Sequence, residues 1–404
     1  MKPEEVGRDG SAEEVVLILN GVRVPIARDV FVSLFHNSVV ASYADVRRAL
    51  DGRPMPFKKF IKLADQAQIP YPLFFAPRDV VEEQVRLKTQ KLMAGFTKQT
   101  FSMHSRHRVE LCDVELIVKD LMRKQELLRR YDPTLEPNPL VGLVKKSRRP
   151  VAEDAARLLK GLSLDLSEIR AARSKEAAVD LVISRLEAKQ VLVSRSAQHH
   201  MPQEIPRRAK FSGMTIKDKR VPFIFLASGN EGEHLEPAGR RLFTLVLLTV
   251  LIGQETFTPV SYDGHTKDEE SPRAHEVAAE ILMPRAELQE MRFTNLDDVK
   301  EAATKFKVTP SAVAMRARHL RRIERDEFVE FMDALEAEYN NRSKSVMRSP
   351  APVKALLNYN GRECSRRMLG ILDAKHINST EFRRQMFFNK LNKSQIGDYR
   401  AAVG

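Results

Sequence analysis

The sequence contains very little cysteine: Cys112 and Cys364 are the only two in 404 residues. Two cysteines cannot form the framework of a small disulfide-rich secreted protein, and they cannot supply a Cys-rich structural zinc site. A reducing, cytoplasmic setting is therefore the simpler expectation. Cys112 falls within a helical apolar pattern and Cys364 lies among basic residues, and we expect both to pack rather than to act as nucleophiles.

Long hydrophobic runs are also missing. The run that most suggests a membrane, LFTLVLLTVLIG at 242–253, has 12 residues, whereas a spanning helix needs about 20. Charged or polar residues flank this run on both sides, so it predicts a helix buried inside a domain. The first residues, MKPEEVGRDGSAEE, are polar and acidic, unlike a signal peptide. We therefore expect a cytoplasmic protein with no membrane partner.

The common motifs of nucleophilic and nucleotide-dependent enzymes are absent. The sequence has no G-x-S-x-G elbow, no G-x-x-x-x-G-K-[ST] phosphate loop and no G-x-G-x-x-G fingerprint. Classical hydrolase mechanisms and nucleotide-driven mechanisms therefore lose their usual support from sequence.

Helical patterns occupy most of the chain, whose length suits two to four domains. Short apolar segments predict strands at 191–193, 214–216 and 222–226. Helices, then a few strands, then more helices predict an α+β fold that is mainly helical, with one small sheet. We predict a flexible lead, a helical first unit, a central domain and a basic helical C-terminal unit, at residues 1–14, 15–80, 85–340 and 345–404.

Three segments in fixed order carry a family resemblance: FSGMTIKDKRVPFIFLASGN, GRRLFTLVLLTVLIG and SPRAHEVAAEILMPRAEL. Together they resemble the ImmA/IrrE family of zinc metallopeptidases, which reads approximately R-x-F-T-L-A-H-E-L-G-H and then E-x-x-A-N-x-F-A-A-x-L-L-M-P. The matching positions are Arg241, Phe243, Thr244, Leu245, Ala274, Ala278, Ala279, Leu282, Met283 and Pro284. The resemblance covers about 109–322 and implies a zincin-like peptidase core. The first unit, ending IPYPLFFAP, resembles a degenerate phage-repressor-type helix-turn-helix.

The positions that would hold zinc in this family carry no metal-binding side chains here. An H-E-x-x-H helix binds Zn²⁺ through two histidines and uses its glutamate as a general base. The corresponding residues 247–251 read LLTVL, with Leu247, Leu248 and Leu251 at the functional positions, and Ser271 matches the family's third ligand, a glutamate. We therefore predict a catalytically degenerate relative without a cofactor, in which buried Leu247 and Leu251 fill the former metal cavity.

Other residues offer an alternative metal site. Its candidate ligands are His265, His275, Glu276 and Glu280, and the two glutamates can share a helical face because they lie four residues apart. This alternative makes the chain a zinc endopeptidase with relocated ligands. The competing interpretation is a partly exposed helix that carries ordinary charges.

Residues 297–323 have the outline of a helix-turn-helix inside the peptidase-like domain. Arginines on or just after its second helix could reach phosphates or guanine edges: Arg316, Arg318, Arg321 and Arg322. The alternative is that the helix pair is an ordinary part of the peptidase-like domain, because the family keeps the same pattern there.

Positive charge is concentrated near the C-terminal end of the sequence. Residues 341–404 contain 13 Lys or Arg against 4 Asp or Glu, a net +9 out of the +13 of the whole chain. Such an excess is typical of nucleic-acid or acidic-partner binding, although a solvated helical face can have the same composition. The candidate phosphate contacts are Arg366, Arg367, Arg383 and Arg384.

Together these patterns predict a regulator or sensor that binds rather than hydrolyses. The resemblance implies a mobile-element, stress-response or phage-defence context. The expected partners are DNA and a protein such as a repressor or a defence-module component, and the apolar surface of the first unit also suits a homodimer. Two other interpretations stay open: a relocated-site zinc endopeptidase that cleaves a repressor, and a defence or toxin–antitoxin component without DNA contact.

Overall fold

The computed structural model describes residues 13–35, 38–67, 69–93, 111–197, 199–205, 211–227, 236–257, 259–261, 273–341 and 350–404. Its internal contacts divide the chain into two compact units. The first contains the described residues up to 93, together with 111–120 and 201–205, and the second contains the others. Helices dominate and the sheets are small, so the predicted mainly helical α+β class is confirmed.

The first unit combines a three-stranded sheet with helices. Its elements before residue 94 are β1 (Glu14–Leu19), β2 (Val22–Ala27), α1 (Arg28–Phe35), α2 (Ala44–Leu50), β3 (Met55–Pro56), α3 (Phe57–Gln66) and α4 (Arg78–Met93). The strand order is β2-β1-β3, with β1 antiparallel to β2 and parallel to β3. Edge-to-face contacts among Phe31, Phe35, Phe60 and Phe74 form the centre of its core.

The hairpin of β1 and β2 corrects the prediction of a wholly helical first unit at 15–80. Asn20 and Gly21 both have positive φ, as a two-residue type I′ turn requires. Before this turn, the buried Val15 and Leu17 alternate with the half-buried Val16 and Ile18, as the two faces of a strand require. The predicted lead, 1–14, lies outside the described residues except for its last two, and Glu14 already begins β1.

Helix α5 (Leu111–Tyr131) begins in residues assigned to the first unit and ends in residues assigned to the second. The later elements are α6 (Val151–Leu162), α7 (Leu166–Ala171), α8 (Lys175–Ala188), β4 (Leu192–Arg195), β5 (Phe211–Ile216), β6 (Phe223–Leu226), α9 (Ala238–Gly253), β7 (Pro259–Ser261), α10 (Arg273–Leu282), α11 (Arg285–Glu290), α12 (Leu296–Lys305), α13 (Pro310–His319), α14 (Arg325–Asn340), α15 (Pro352–Asn360), α16 (Arg362–Asp373), α17 (Ser379–Phe387) and α18 (Ile396–Val403). The sheet order is β4-β6-β5-β7, with β4 parallel to β6 and β5 antiparallel to both of its neighbours. The predicted strands are confirmed.

Helix α9 is the central helix of the second unit. Thirteen of its sixteen residues are buried, and it contacts α8, α10, β5 and β6, which confirms the buried helix predicted at 242–253. Its first turn lies against the link between α12 and α13, where a Cβ on Gly239 would come within 2.5 Å of the Val308 carbonyl carbon. The Lys175 Nζ also donates a hydrogen bond to the Val308 carbonyl at 2.6 Å. The link of the helix-turn-helix-like pair is therefore packed inside the domain.

The four C-terminal helices belong to the second unit, so the predicted separate unit at 345–404 is not observed. A buried polar chain connects them to α5: Lys124 Nζ donates to Asn360 Oδ1 at 2.6 Å, and Asn360 Nδ2 donates to the Tyr399 hydroxyl at 3.0 Å. The Tyr399 and Ser365 hydroxyls lie 2.6 Å apart. Buried polar groups need such partners, so these bonds hold the C-terminal helices in one arrangement.

The fold also shows the surroundings of one of the two cysteines. Cys364 is buried within α16, as a packing role requires, whereas the Cys112 side chain lies outside the described residues. Across the described ranges, no helix combines the length and the apolar character needed to cross a bilayer.

Candidate functional site

The residues predicted to stand at the zinc-motif positions of the resembled family lie in the middle of α9. Leu247, Leu248 and Leu251 are 2%, 0% and 8% exposed, and all three belong to the apolar core of the second unit. The prediction that Leu247 and Leu251 are buried is confirmed. Ser271, which matches the third ligand, lies outside the described residues.

Leu248, which was predicted to stand at the position of the family's general base, packs directly against the sheet. A Cβ placed on Gly213 of β5 would lie only 2.8 Å from the Leu248 Cδ1 and 2.6 Å from the Phe225 carbonyl oxygen. Thr249, the polar residue among 247–251, donates its hydroxyl to the Leu245 carbonyl at 2.8 Å, within its own helix. The side chains at 247, 248 and 251 therefore offer no donor atom to a zinc ion, and these residues do not fit the metal that the family implies.

The alternative ligands are only partly brought together. Glu280 forms an ion pair with Arg316 and accepts the Arg285 backbone N–H at 3.2 Å, so its carboxylate already has partners. Burial lowers the pKa of His275, which favours the neutral imidazole, and within the described chain its Nδ1 has no hydrogen-bond partner. His265 lies outside the described residues, and nowhere in the described ranges are three His, Cys, Asp or Glu side chains arranged as a metal site.

The arginines of the helix-turn-helix-like pair differ in their surroundings. Arg316 is only 9% exposed, with its guanidinium beside Glu280, and burial lowers its pKa despite the neighbouring carboxylates. This position corrects its assignment as a nucleic-acid contact, because the charge points into the domain. Arg318 is half-buried, with a buried Nε. Arg321 is exposed, as is Arg322, which donates to the Met291 carbonyl at 3.1 Å.

Most of the candidate arginines near the C-terminus also have internal partners. The Arg367 side chain is 10% exposed and bridges Glu363 and Asp132, at 2.6 Å from each, which corrects its assignment as a phosphate contact. Arg366 is exposed but makes a two-pronged contact with the same Glu363, at 2.7 and 2.6 Å. Arg383 donates its Nε to the Leu391 carbonyl at 2.8 Å.

A smaller set of basic residues remains on the surface of these helices. Arg384 is exposed, and so are three lysines with no ion pair to a described residue: Lys354, Lys375 and Lys393. The positive excess of the C-terminal region therefore has two parts. One part holds the helices together, and the other faces solvent.

The first unit carries an unusual share of exposed apolar side chains. Within the described ranges, all large exposed apolar residues except Val329 belong to it: Leu19, Val22, Val32, Tyr71, Phe75, Val80, Val85 and Leu87. Val22 is 64% exposed. The rings of Tyr71 and Phe75 lie 6.0 and 6.3 Å from the ring of Phe57 and form an aromatic cluster. An exposed cluster of apolar rings such as this one favours a protein interaction site.

Two carboxyls with raised pKa values, the buried Glu187 and the half-buried Glu236, were not predicted from the sequence. Burial raises the pKa of both Glu187 and Glu236 to about 7, although nearby arginines act in the opposite direction. The Ser212 hydroxyl donates to Glu236 at 3.2 Å, just before α9 begins. A signal for Glu187 exists in the sequence, because it continues the stripe of Val179 and Ile183 at a spacing of four residues.

Comparison with known families identifies one segment. Residues 237–318 match the family model Peptidase_M78, described as the IrrE N-terminal-like domain. The match covers helices α9 to α13, and within it the predicted ImmA/IrrE-like, metallopeptidase-like character is confirmed. No curated protein and no solved structure matches the chain.

Proposed function

We propose that this chain is a catalytically degenerate relative of the IrrE-like, metallopeptidase-like domains and acts as a regulator or sensor by binding a protein partner. The observation that carries this proposal is the set of buried leucines at 247, 248 and 251, with Leu248 seated against Gly213. Metal-assisted hydrolysis needs ligands for the metal and a base for the attacking water. A leucine side chain supplies neither, whereas a packed core supplies rigidity to a binding domain.

The exposed apolar side chains of the first unit support a protein partner. The aromatic cluster of Phe57, Tyr71 and Phe75 offers rings of the type that is enriched at the centres of protein interfaces. A repressor or a component of a defence module is the class of partner that the family resemblance favours. A second copy of this chain could use the same surface.

DNA is a second candidate partner because Arg384 is exposed on α17, and Lys375 and Lys393 are exposed in the segments that connect the C-terminal helices. Surface cations of this kind neutralise phosphates without reading bases, so any such binding should be insensitive to sequence. The buried Arg316 and Arg367 have no part in it.

Site-specific photo-crosslinking in cells tests both partners at once. A photoreactive amino acid at Tyr71 should give a discrete adduct that protease removes and nuclease leaves intact. The same label at Arg384 should give an adduct that nuclease removes. The matched control is the exposed Glu301 on α12, which should give neither.

The absence of a Tyr71 adduct would contradict the protein-partner proposal. A protein adduct in place of a nucleic-acid adduct at Arg384 would contradict the DNA proposal and make an acidic protein the better explanation of the charge. A captured protein that is shortened only when zinc is added would favour the endopeptidase instead.

A further inference from the structure

Glu187 lies where three segments of the second unit meet. It is buried in the last turn of α8, beside strand β4 and the beginning of α16. Gly361, the residue before α16, lies directly beside it: a Cβ there would lie 2.9 Å from Glu187 Oε1 and 2.4 Å from the Val193 carbonyl oxygen. Gly361 also has a φ of +78°, which favours glycine. At Gly361 the backbone itself therefore contacts both the edge strand β4 and the Glu187 carboxyl, with no side chain between them.

The cations around Glu187 are already paired with other acids. On α16, Arg366 and Arg367 bind Glu363, and Arg367 also binds Asp132. These four side chains have no net charge when all are ionised. On β4, Arg195 binds Asp180 at 3.1 Å and Asn358 at 3.0 Å. An ionised Glu187 therefore adds an unbalanced negative charge inside a neutral cluster, and within the described chain its Oε1 has no hydrogen-bond partner.

The surroundings make this carboxyl titrate near neutral pH. Burial raises the pKa of Glu187 from 4.5 to about 7, and the adjacent Glu363 charge adds to that effect. The backbone N–H groups of Glu363 and Val193 and the charge of Arg195 lower the pKa, but by less. The neutral form is thus the one that the packed structure favours.

We propose that Glu187 is a pH-sensitive latch that holds the C-terminal helices α15 to α18 against β4 when it is protonated and loosens them when it is ionised. The carboxyl is placed to act in this way because it contacts both the edge strand and the start of α16. Ionisation would place an uncompensated charge between β4 and the start of α16, or would draw water into that contact. Separation of α16 from β4 would let water solvate the charge. The loosened state would expose the outer edge of β4 and the apolar faces that now cover it.

The direction of the effect follows from the raised pKa. A carboxyl that binds its proton more tightly in the docked state stabilises docking fully below about pH 4.5, and that contribution is lost as the pH rises through about 7. The ratio of docked to undocked molecules should therefore fall about tenfold between pH 6 and pH 8.

Hydrogen exchange of the full-length protein, corrected for the intrinsic effect of pH, measures this ratio. In the wild type, amide protection of α15 to α18 should fall about tenfold from pH 6 to pH 8, while protection of α12 stays constant. Glu187→Gln keeps the shape but cannot ionise, so it should abolish the difference. Glu236→Gln is the matched control, because it removes the other carboxyl with a pKa near 7 and should leave the wild-type response.

Equal protection of α15 to α18 at the two pH values in the wild type would overturn the latch. The same conclusion would follow if Glu187→Gln kept the tenfold response. If the variant folds poorly, the proposal is still tested in the wild type, by comparing the pH dependence of amide protection in α15 to α18 with that in α12.

Discussion

Replacing Leu247 by alanine is expected to lower the free energy of unfolding of the second unit by about 2–5 kcal/mol. The side chain is 2% exposed and lies in the same core as α8, α10 and the sheet. Its removal would lose the transfer free energy of the buried methyl groups and leave a cavity that a packed core closes only in part. Denaturant unfolding, monitored by hydrogen exchange of the amides of α9 and α10, measures this change in the free energy of unfolding.

Val329→Ala on α14 is the matched control because Val329 is an exposed apolar residue of the same unit. Its effect should stay within about 0.5 kcal/mol. A near-neutral Leu247→Ala would mean that this face of α9 opens onto a groove, and the assignment of a filled metal cavity would be wrong.

Arg316→Ala is expected to cost about 3–5 kcal/mol of stability, because it leaves the Glu280 carboxylate buried without its cation. The two side chains are only 10% and 12% exposed. Replacing both together, as Arg316→Met with Glu280→Leu, should restore most of the stability, since apolar side chains of similar size can occupy such a site. Thermal and denaturant unfolding of the single and double variants measure the effect.

Arg321→Ala serves as the control for the Arg316 series, because Arg321 follows the same helix and is exposed. It should leave stability unchanged. If Arg316→Ala were as stable as the wild type and instead lost nucleic-acid binding, α13 would be a reading helix and not an internal one.

Much of the second unit follows from local sequence. For example, Ser174 stands directly before the helical pattern of α8, and its side chain caps that helix by accepting the Ala177 N–H at 3.1 Å. The buried helix α9 and the short strands were equally predictable, because a long apolar run favours a helix and short apolar runs bounded by turn residues favour strands. The hairpin of the first unit was not predicted, although Asn20-Gly21 between two short apolar segments is its usual signal. The resemblance of the unit's later residues to a helix-turn-helix extended a helical expectation over residues whose β-branched side chains and turn favour strands.

The candidate site shows where sequence reasoning ends. The burial of Leu247 and Leu251 in α9 was predictable, because their apolar character agrees with their positions in the resembled motif. Arg316 and Arg367 were predicted to contact nucleic acid, but both are paired with carboxylates in the structure, and a count of charges cannot distinguish an exposed cation from a paired one. Their partners Glu280 and Asp132 lie 36 and 235 residues away in sequence, so only the folded chain brings them together.

The zinc content of the purified full-length protein tests the central claim most directly. Protein prepared without chelator should contain well under one equivalent of zinc by elemental analysis, and EDTA should leave its Tm unchanged, because no metal contributes to folding. One equivalent of tightly held zinc, with a Tm that falls when EDTA removes it, would contradict the account and make the chain a metalloprotein with relocated ligands.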